Sequence, residues 1–291
     1  MADKLWVGTD SGNEGDLGVA ANWDPVGVPG PGDTVWFLDS SQDVTAGLDV
    51  WAGSAAPDAI HFCRSYTGRV GDGDEYLEVG ETVITVGEHF GSGAPLGSGR
   101  LRIDMGAHAS SLLVLATAYT ATDAWRRPLE VLADHAAAVI EVRSGQVAVA
   151  DRPGESGELA ELRLAPPPAG LTEPDVVSGD ELVLASAEAA SGALALRGAV
   201  TAIVQSAGQC RTSGAGAVAS WIITGGSAYP ESSGTLSLLE ARGGQVDFLG
   251  SREPRTVSAL KLYRGAQVAV DTDVVTITAL TLEESARVLA S

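Results

Sequence analysis

Ala259-Leu-Lys-Leu-Tyr-Arg-Gly-Ala-Gln-Val268 and Ala279-Leu-Thr-Leu-Glu-Glu-Ser-Ala-Arg-Val288 lie 20 residues apart and match in Ala, Leu, Leu, Ala and Val. Gly265 of the first copy is replaced by the small Ser285 in the second. Upstream, Leu238–Val246 ends Arg-Gly-Gly-Gln-Val and aligns with Leu260–Val268 at an offset of 22. Short apolar alternations separated by small-residue corners, repeated every 20–22 residues, are the signature of a solenoid, where each rung buries its apolar face against its neighbours. The expected fold is all-β: a parallel β-helix over residues 51–291, preceded by a small Trp-rich cap over residues 1–50.

Composition agrees with a narrow stacked core. Of 291 residues, 45% are hydrophobic but only 5% aromatic, and 36 are glycine. The apolar mass is therefore Ala, Val and Leu. With 18 basic against 38 acidic residues, the formal net charge is −20. Such a surface repels phosphate backbones, which argues against nucleic-acid binding, and it keeps the protein soluble or favours cationic partners. Cys63 and Cys210 read as buried free thiols. The opening Met-Ala-Asp-Lys-Leu-Trp-Val-Gly has no apolar run of signal-peptide length, and no stretch is apolar enough for a membrane-spanning helix. Synthesis in a cytoplasm without export or membrane insertion is expected.

Other segments extend the pattern. A corner motif recurs as Ser144-Gly-Gln-Val147, Ala207-Gly-Gln-Cys210, Gly244-Gln-Val246 and Ala266-Gln-Val268. Glycine there supplies a backbone conformation that branched residues adopt only at a cost. Ala107–Val114 aligns with Asp134–Glu141 at an offset of 27, which makes His108 and His135 equivalent. Leu77–Gly87 reads as one strand with Leu77, Val79, Val83 and Val86 as its apolar side chains. Excursion loops are expected near 117–127, near 165–175, where Pro166-Pro-Pro168 cannot donate to a sheet, and at 220–233. Trp6 and Trp36 sit in short apolar runs, Lys4–Gly8 and Thr34–Leu38, and read as core packing. A carbohydrate-binding platform is the alternative for these aromatics.

Residues with chemical potential are scattered. Asp72/Asp74 and Asp271/Asp273 have the i, i+2 spacing of a carboxylate pair, but each lies at a turn-like edge. Asp10–Asp16 and Asp72–Glu75 cluster oxygen ligands with glycine but do not fit a calcium loop. No HExxH, Ser-His-Asp context or phosphate loop is present. No catalytic, metal-binding or cofactor-binding residue is therefore assigned. The aromatics expected on the excursion loops, Trp125, Trp221 and Tyr229, are the candidates for contact with a host-surface glycan. The repeat reaches Val288-Leu-Ala-Ser291 without a cap, so Val288, Leu289 and Ala290 are the candidates for contact with other subunits or a capsid.

The N-terminal stretch carries a resemblance. Trp6-Val-Gly8, Asn22-Trp23, Val28-Pro29 and Gly32-Asp-Thr-Val-Trp-Phe37 resemble the opening of a family of uncharacterised tailed-phage structural proteins. Those begin with a Tyr-Trp-Val-Gly-Gly segment, then a Trp, a Val-Pro and an Asp-Asp-Val-Phe-Phe strand, and continue into solenoid repeats. Asn13-Glu-Gly-Asp16 departs from the family's usual second Gly and Trp run. The resemblance implies a right-handed β-helix and a non-enzymatic virion protein. A capsid decoration or head-fibre protein is favoured, acting as a homo-oligomer around a threefold axis on the major capsid protein or another virion protein. A carbohydrate-binding tail fibre or adhesin is the alternative, and a polysaccharide depolymerase is third.

Overall fold

The computed structural model describes residues 2–71, 75–88, 100–117, 127–151 and 154–290. They form two compact units, Met1–Ala148 with Pro167–Thr172, and Val149–Pro166 with Glu173–Ser291. Both are β-solenoids.

In the second unit the chain alternates between two parallel sheets. Ser156–Leu164, Glu181–Ala189, Ala199–Gln205, Val218–Ile223, Leu236–Ala241, Arg255–Leu262 and Val275–Leu282 form one. Pro174–Ser178, Ala193–Leu196, Gln209–Thr212, Ser227–Pro230, Gln245–Asp247, Gln267–Val270 and Arg287–Ala290 form the other. Paired residues are 25 apart at Leu159–Leu184, then 16, 18, 18, 21 and 20 apart at Val200, Val218, Leu236, Val257 and Ile277. The longest step contains Ala165–Glu173, where consecutive prolines withhold ladder donors and the chain leaves the sheets.

Strand alternation sends every second side chain inward. Leu162, Ala187, Ile203, Trp221, Leu239, Leu260 and Leu280 form one column in register. Val176, Leu194, Cys210, Ala228, Val246, Val268 and Val288 form a column in the other sheet. The largest side chain, Trp221, shares its rung with the small Ala228. The quoted repeat pairs in register at its offset of 20, Ala259 with Ala279 and Val268 with Val288. The preceding repeat differs from its reading. Leu239, rather than Leu238, pairs with Leu260, an offset of 21, whereas Val246 pairs with Val268 at 22. One extra residue in the corner after Leu262 makes the change.

The corners explain the glycines. Gly208, Gly226 and Gly244 have φ of +66°, +80° and +74°, and a Cβ on Gly226 would meet the carbonyl oxygen of Gly208 at 2.4 Å. These positions require both a left-handed backbone and the absence of a side chain. The longer corner relaxes the second requirement. Gly265 keeps φ +89° but faces open space, and Ser285 takes φ +69° at the equivalent place.

The first unit is less regular. Its larger sheet begins with β1 (Asp3–Trp6), β2 (Trp23–Asp24), β3 (Thr34–Phe37) and β4 (Ala59–Cys63). The order is β2-β1-β3-β4, followed by Val83–Glu88, Ser111–Val114 and Asp134–Val142. β2 runs antiparallel along β1, pairing Leu5 with Asp24 and Trp6 with Trp23. It thereby occupies the edge that a parallel rung would otherwise leave open. Leu77–Glu78, Leu101–Asp104, Leu129–Leu132 and Gly145–Val149 belong to the facing sheet.

The cap's core is a cluster of buried aromatics. Trp23 packs edge-on to Trp6 at 5.1 Å, Trp51 lies 5.7 Å from Trp23, and Phe37 stacks on Phe62 at 4.5 Å. Each buried indole has a backbone acceptor: Trp6 donates to Gln42, Trp23 to Leu17 and Trp51 to Pro29. The Asn-Trp dipeptide has a clear role. Buried Asn22 accepts from the Asp10 N–H and donates to the Asn13 and Asp16 carbonyls, holding the 10–16 loop over the cap.

Three readings of this unit are corrected. Leu77–Gly87 is not one strand, since Leu77–Glu78 and Val83–Glu88 lie in different sheets, and Val83 is exposed. The 107–114 segment pairs with the 134–142 strand at an offset of 28, Leu112 with Ile140, so His108 and His135 are not equivalent. A one-residue slip would turn every inward side chain outward, so burial of both Leu112 and Ile140 decides the register. Trp36 is not core: Val35 and Phe37 point inward and are fully buried, which places Trp36 on the outer face.

Candidate functional site

The outer face of the cap carries a surface cleft of about 390 Å³. Asp3, Leu5, Asp24, Pro25, Trp36 and Leu38 line it. The backbone register sets this arrangement. Asp24 pairs with Leu5, Leu5 with Trp36, and Trp36 with His61, so their side chains form one outward row across β2, β1, β3 and β4. Leu5 and Pro25 are shorter than the indole beside them, and the cleft occupies the difference.

His61 supports the platform. Its ring stacks on Trp36 at 4.0 Å and 12°, and its Nδ1 lies 2.7 Å from Glu88 Oε2. The Trp36 Nε1–H donates to Asp3 Oδ1 at 3.2 Å, which fixes the indole and one carboxylate together. The exposed carboxylate of Asp24 accepts no hydrogen bond and makes no ion pair among the described residues. The cleft thus offers an aromatic surface, an apolar floor and two carboxylates. This is equipment for holding a ligand.

The sequence-derived aromatics lie elsewhere. Trp221 is a correction: it is 0% exposed and points into the core of the second unit. The 220–233 segment is likewise no excursion, because Val218–Ile223 and Ser227–Pro230 are strands of the stack. The local richness in Ser, Gly and Tyr suggested a loop, but the segment keeps the alternation that places Trp221 and Ile223 inside. Tyr229 is half-buried on the outer face, with the Arg211 guanidinium 5.0 Å over its ring and Arg211 bonded to both oxygens of Glu231. Trp125 lies outside the described residues, as do Asp72, Asp74 and His89.

Val288 and Leu289 belong to a strand paired with Gln267–Val270 and are 38% and 62% exposed; Ala290 pairs through its backbone with Val270. Leu280 and Leu282 of the same rung are also exposed. Asp271 accepts from the Asp273 N–H at 3.0 Å in a turn before the 275–282 strand. Among the described residues no group of three or more His, Cys, Asp or Glu could hold a metal, and no helix is long and apolar enough to cross a membrane. Burial pushes the Cys63 thiol up to about 12, aided by Glu88 and Asp39, and burial alone pushes Cys210 higher still. Neither thiol is in its reactive form at neutral pH.

The sequence matches no family model, no curated protein and no solved structure.

Sequence reasoning missed the Trp36 cleft because it treated Trp6 and Trp36 alike. The signal was present: the two differ in strand parity relative to Phe37, and only Trp36 is flanked on both sides by residues that point inward.

Proposed function

We propose that this chain is a non-enzymatic structural protein of a tailed-phage virion, a capsid decoration or head-fibre protein that works as an oligomer on the particle. The observation that carries this reading is the use made of the N-terminal motif. Trp6, Asn22, Trp23, Pro29 and Phe37 are the residues that build the aromatic cap or tie its loops. The resemblance therefore rests on a working structural element. The rung with exposed Leu280, Leu282, Val288 and Leu289 is, in this reading, the face covered by other subunits or by capsid protein. A threefold arrangement is the proposed assembly. The acidic surface suits a particle-bound protein that must avoid nucleic acid.

Mass spectrometry and imaging of purified particles test the placement. Density for a β-solenoid on the capsid lattice is the expected result, and absence of the chain from washed particles overturns it. Solution mass tests the oligomer, and a stable dilute monomer counts against it.

The aromatic cleft at Trp36 keeps the carbohydrate-binding fibre as a second reading. Binding on a host-glycan array that Trp36→Ala abolishes would favour it.

A further inference from the structure

We propose that the outer face of the larger sheet of the second unit is an interface between two copies of this chain, packed face to face and antiparallel. The inference is independent of the virion reading. The threefold assembly of that reading places other subunits or capsid protein at the rung of Leu280 and Leu289, so the two contacts use different surfaces. The inference rests on the charges and side-chain sizes that the register arrays across five neighbouring strands, Glu181–Ala189, Ala199–Gln205, Val218–Ile223, Leu236–Ala241 and Arg255–Leu262.

The protein carries a net charge of −20, so two copies repel unless they meet through a neutral face. The outer face of the smaller sheet is not neutral, since Asp175, Arg211, Asp247 and Arg287 lie on it. On the larger sheet, Ala199–Gln205 and Val218–Ile223 present no charged side chain, and Val183 and Val204 are 52% and 42% exposed. Register sets an outward row of Glu188, Val204, Ile222, Glu240 and Lys261, and beside it a row of Ser186, Ala202, Ser220, Leu238 and Ala259. Both glutamates have cations of their own chain. Arg163 Nε lies 3.0 Å from Glu188 Oε2, and Arg242 Nε lies 2.6 Å from Glu240 Oε1. Lys261 makes no hydrogen bond or ion pair among the described residues. The patch is therefore flat and almost uncharged, with one unmatched cation that an acidic partner answers.

A second copy supplies the match. With a twofold axis along the Val218–Ile223 strand, the rungs of the second copy run in reverse order and each row faces itself. Lys261 of either copy then stands opposite Glu188 of the other. In the neighbouring row Leu238 stands opposite Ala202, a large side chain against a small one, and Ser186 stands opposite Ala259. Val204 lies over Glu240, whose carboxylate Arg242 already holds. The shortest strands of the patch are 6 residues long. At about 3.3 Å per residue and about 4.8 Å per strand, the patch measures about 20 by 24 Å. Two copies together bury about 1,000 Å², the lower bound of a specific interface, which suits a reversible contact.

Sedimentation velocity on the full chain over a wide concentration range tests the contact. The mass is expected to rise with concentration to an even number of copies, each of 29.6 kDa. Val204→Arg puts an unmatched charge into the middle of the patch and is expected to weaken the association at least about tenfold. Lys261→Glu breaks no ion pair of its own chain among the described residues but sets like charges opposite each other, and is expected to weaken the association about threefold or more. Adding Glu188→Lys to Lys261→Glu swaps the two charges and is expected to restore most of that loss. Circular dichroism checks that each variant keeps its fold. Zero-length carbodiimide coupling of the unmodified protein, mixed in ¹⁴N and ¹⁵N forms, keeps the test independent of every variant, with a mixed-isotope Lys261–Glu188 cross-link as the expected product. A mass that settles at one copy or three, association indifferent to Val204→Arg, a charge swap that restores nothing, or no mixed-isotope cross-link at those two residues overturns the proposal.

Discussion

The aromatic cluster of the first unit and the aliphatic columns of the second solve the same problem differently. Both fill the space between two sheets. In the cluster, Trp6, Trp23, Trp51, Phe37, Phe62 and Tyr66 meet at fixed ring geometries, and the buried indole N–H groups each have a carbonyl partner. In the columns, Leu, Ile, Val and Ala stack by register, and the single indole of Trp221 is buried with no acceptor among the described residues. A cluster of large rings is specified by mutual shape and by polar tips, so no member is interchangeable. A column is specified by strand pairing, so its members vary in size provided the facing position compensates. The Trp221–Ala228 rung is such a case.

The difference is most exposed by removing one ring from the cluster. Trp23 contacts Trp6, Phe37 and Trp51, and its Nε1–H donates to Leu17 at 2.9 Å. Trp23→Ala is expected to destabilise the protein by about 3–5 kcal/mol, from lost burial and the cavity left among rigid rings. Urea unfolding followed by circular dichroism measures it. A loss under about 1 kcal/mol would mean that the rings repack as freely as a column does.

Corner glycines give the next effect, and they divide the second unit internally. Gly226→Ala brings a Cβ against the Gly208 carbonyl at 2.4 Å in addition to the left-handed strain at φ +80°. Gly265→Ala carries the backbone strain alone, because a Cβ there meets nothing within 4 Å. The second change is expected to cost about 1–2 kcal/mol and the first distinctly more. Equal costs for the two would remove the argument that the stacked corners need glycine for space. Ser285, already in the left-handed region at φ +69°, shows that the relaxed corner tolerates a side chain.

This division also accounts for what could be read in advance. The 20-residue repeat was legible because its two corners have the same length, so alignment and register coincide. Where corner lengths differ, as after Leu262, one linear offset cannot serve both strands of a rung, and Leu238 was matched in place of Leu239. The offset of 27 failed similarly, since matching the His-Ala dipeptides outweighed the apolar residues that set the pairing. The Trp-rich cap was visible as composition, but its internal order was not. Packing among unlike rings has no period to detect. The Trp36 cleft was hidden for a related reason, because it depends on Asp24 returning beside Leu5 through an antiparallel strand of two residues.

A smaller effect is expected at Trp221, and its direction sharpens the comparison. Trp221→Phe removes atoms from a fully buried position, but it also removes an indole N–H left without an acceptor. Burying an unpaired donor costs about 1–3 kcal/mol, which offsets much of the cavity penalty. The net loss is expected to be about 1 kcal/mol or less. Trp23→Phe, by contrast, leaves the Leu17 carbonyl without its donor and should cost more. Parallel urea titrations of the two variants decide this, and the contrast fails if Trp221→Phe is the more damaging.

The smallest expected effect is electrostatic and returns to the first unit. Asp104 ends the Leu101–Asp104 strand, and its Oδ1 accepts from the Gly106 N–H at 2.7 Å. Burial raises its pKa above the ordinary carboxylate range, opposed by the Gly106 hydrogen bond, with repulsion from Asp134 adding to the rise and His108 opposing it. A folded-state pKa above the unfolded one favours the protonated form in the native protein. That stabilisation is complete below the unfolded carboxyl pKa, near ~4, and is lost as pH rises through the higher folded value. At neutral pH the partly buried charge is therefore a cost. Asp104→Asn keeps an acceptor for Gly106 and removes the charge, so it should be slightly more stable than the parent at pH ~7, with the gap closing as pH falls below ~4. Thermal unfolding of both proteins across this range checks the sign. A parent that is the more stable at neutral pH would show that the Asp104 carboxylate is held by attraction, placing the strand end among the specified polar contacts of the first unit rather than the register-driven columns.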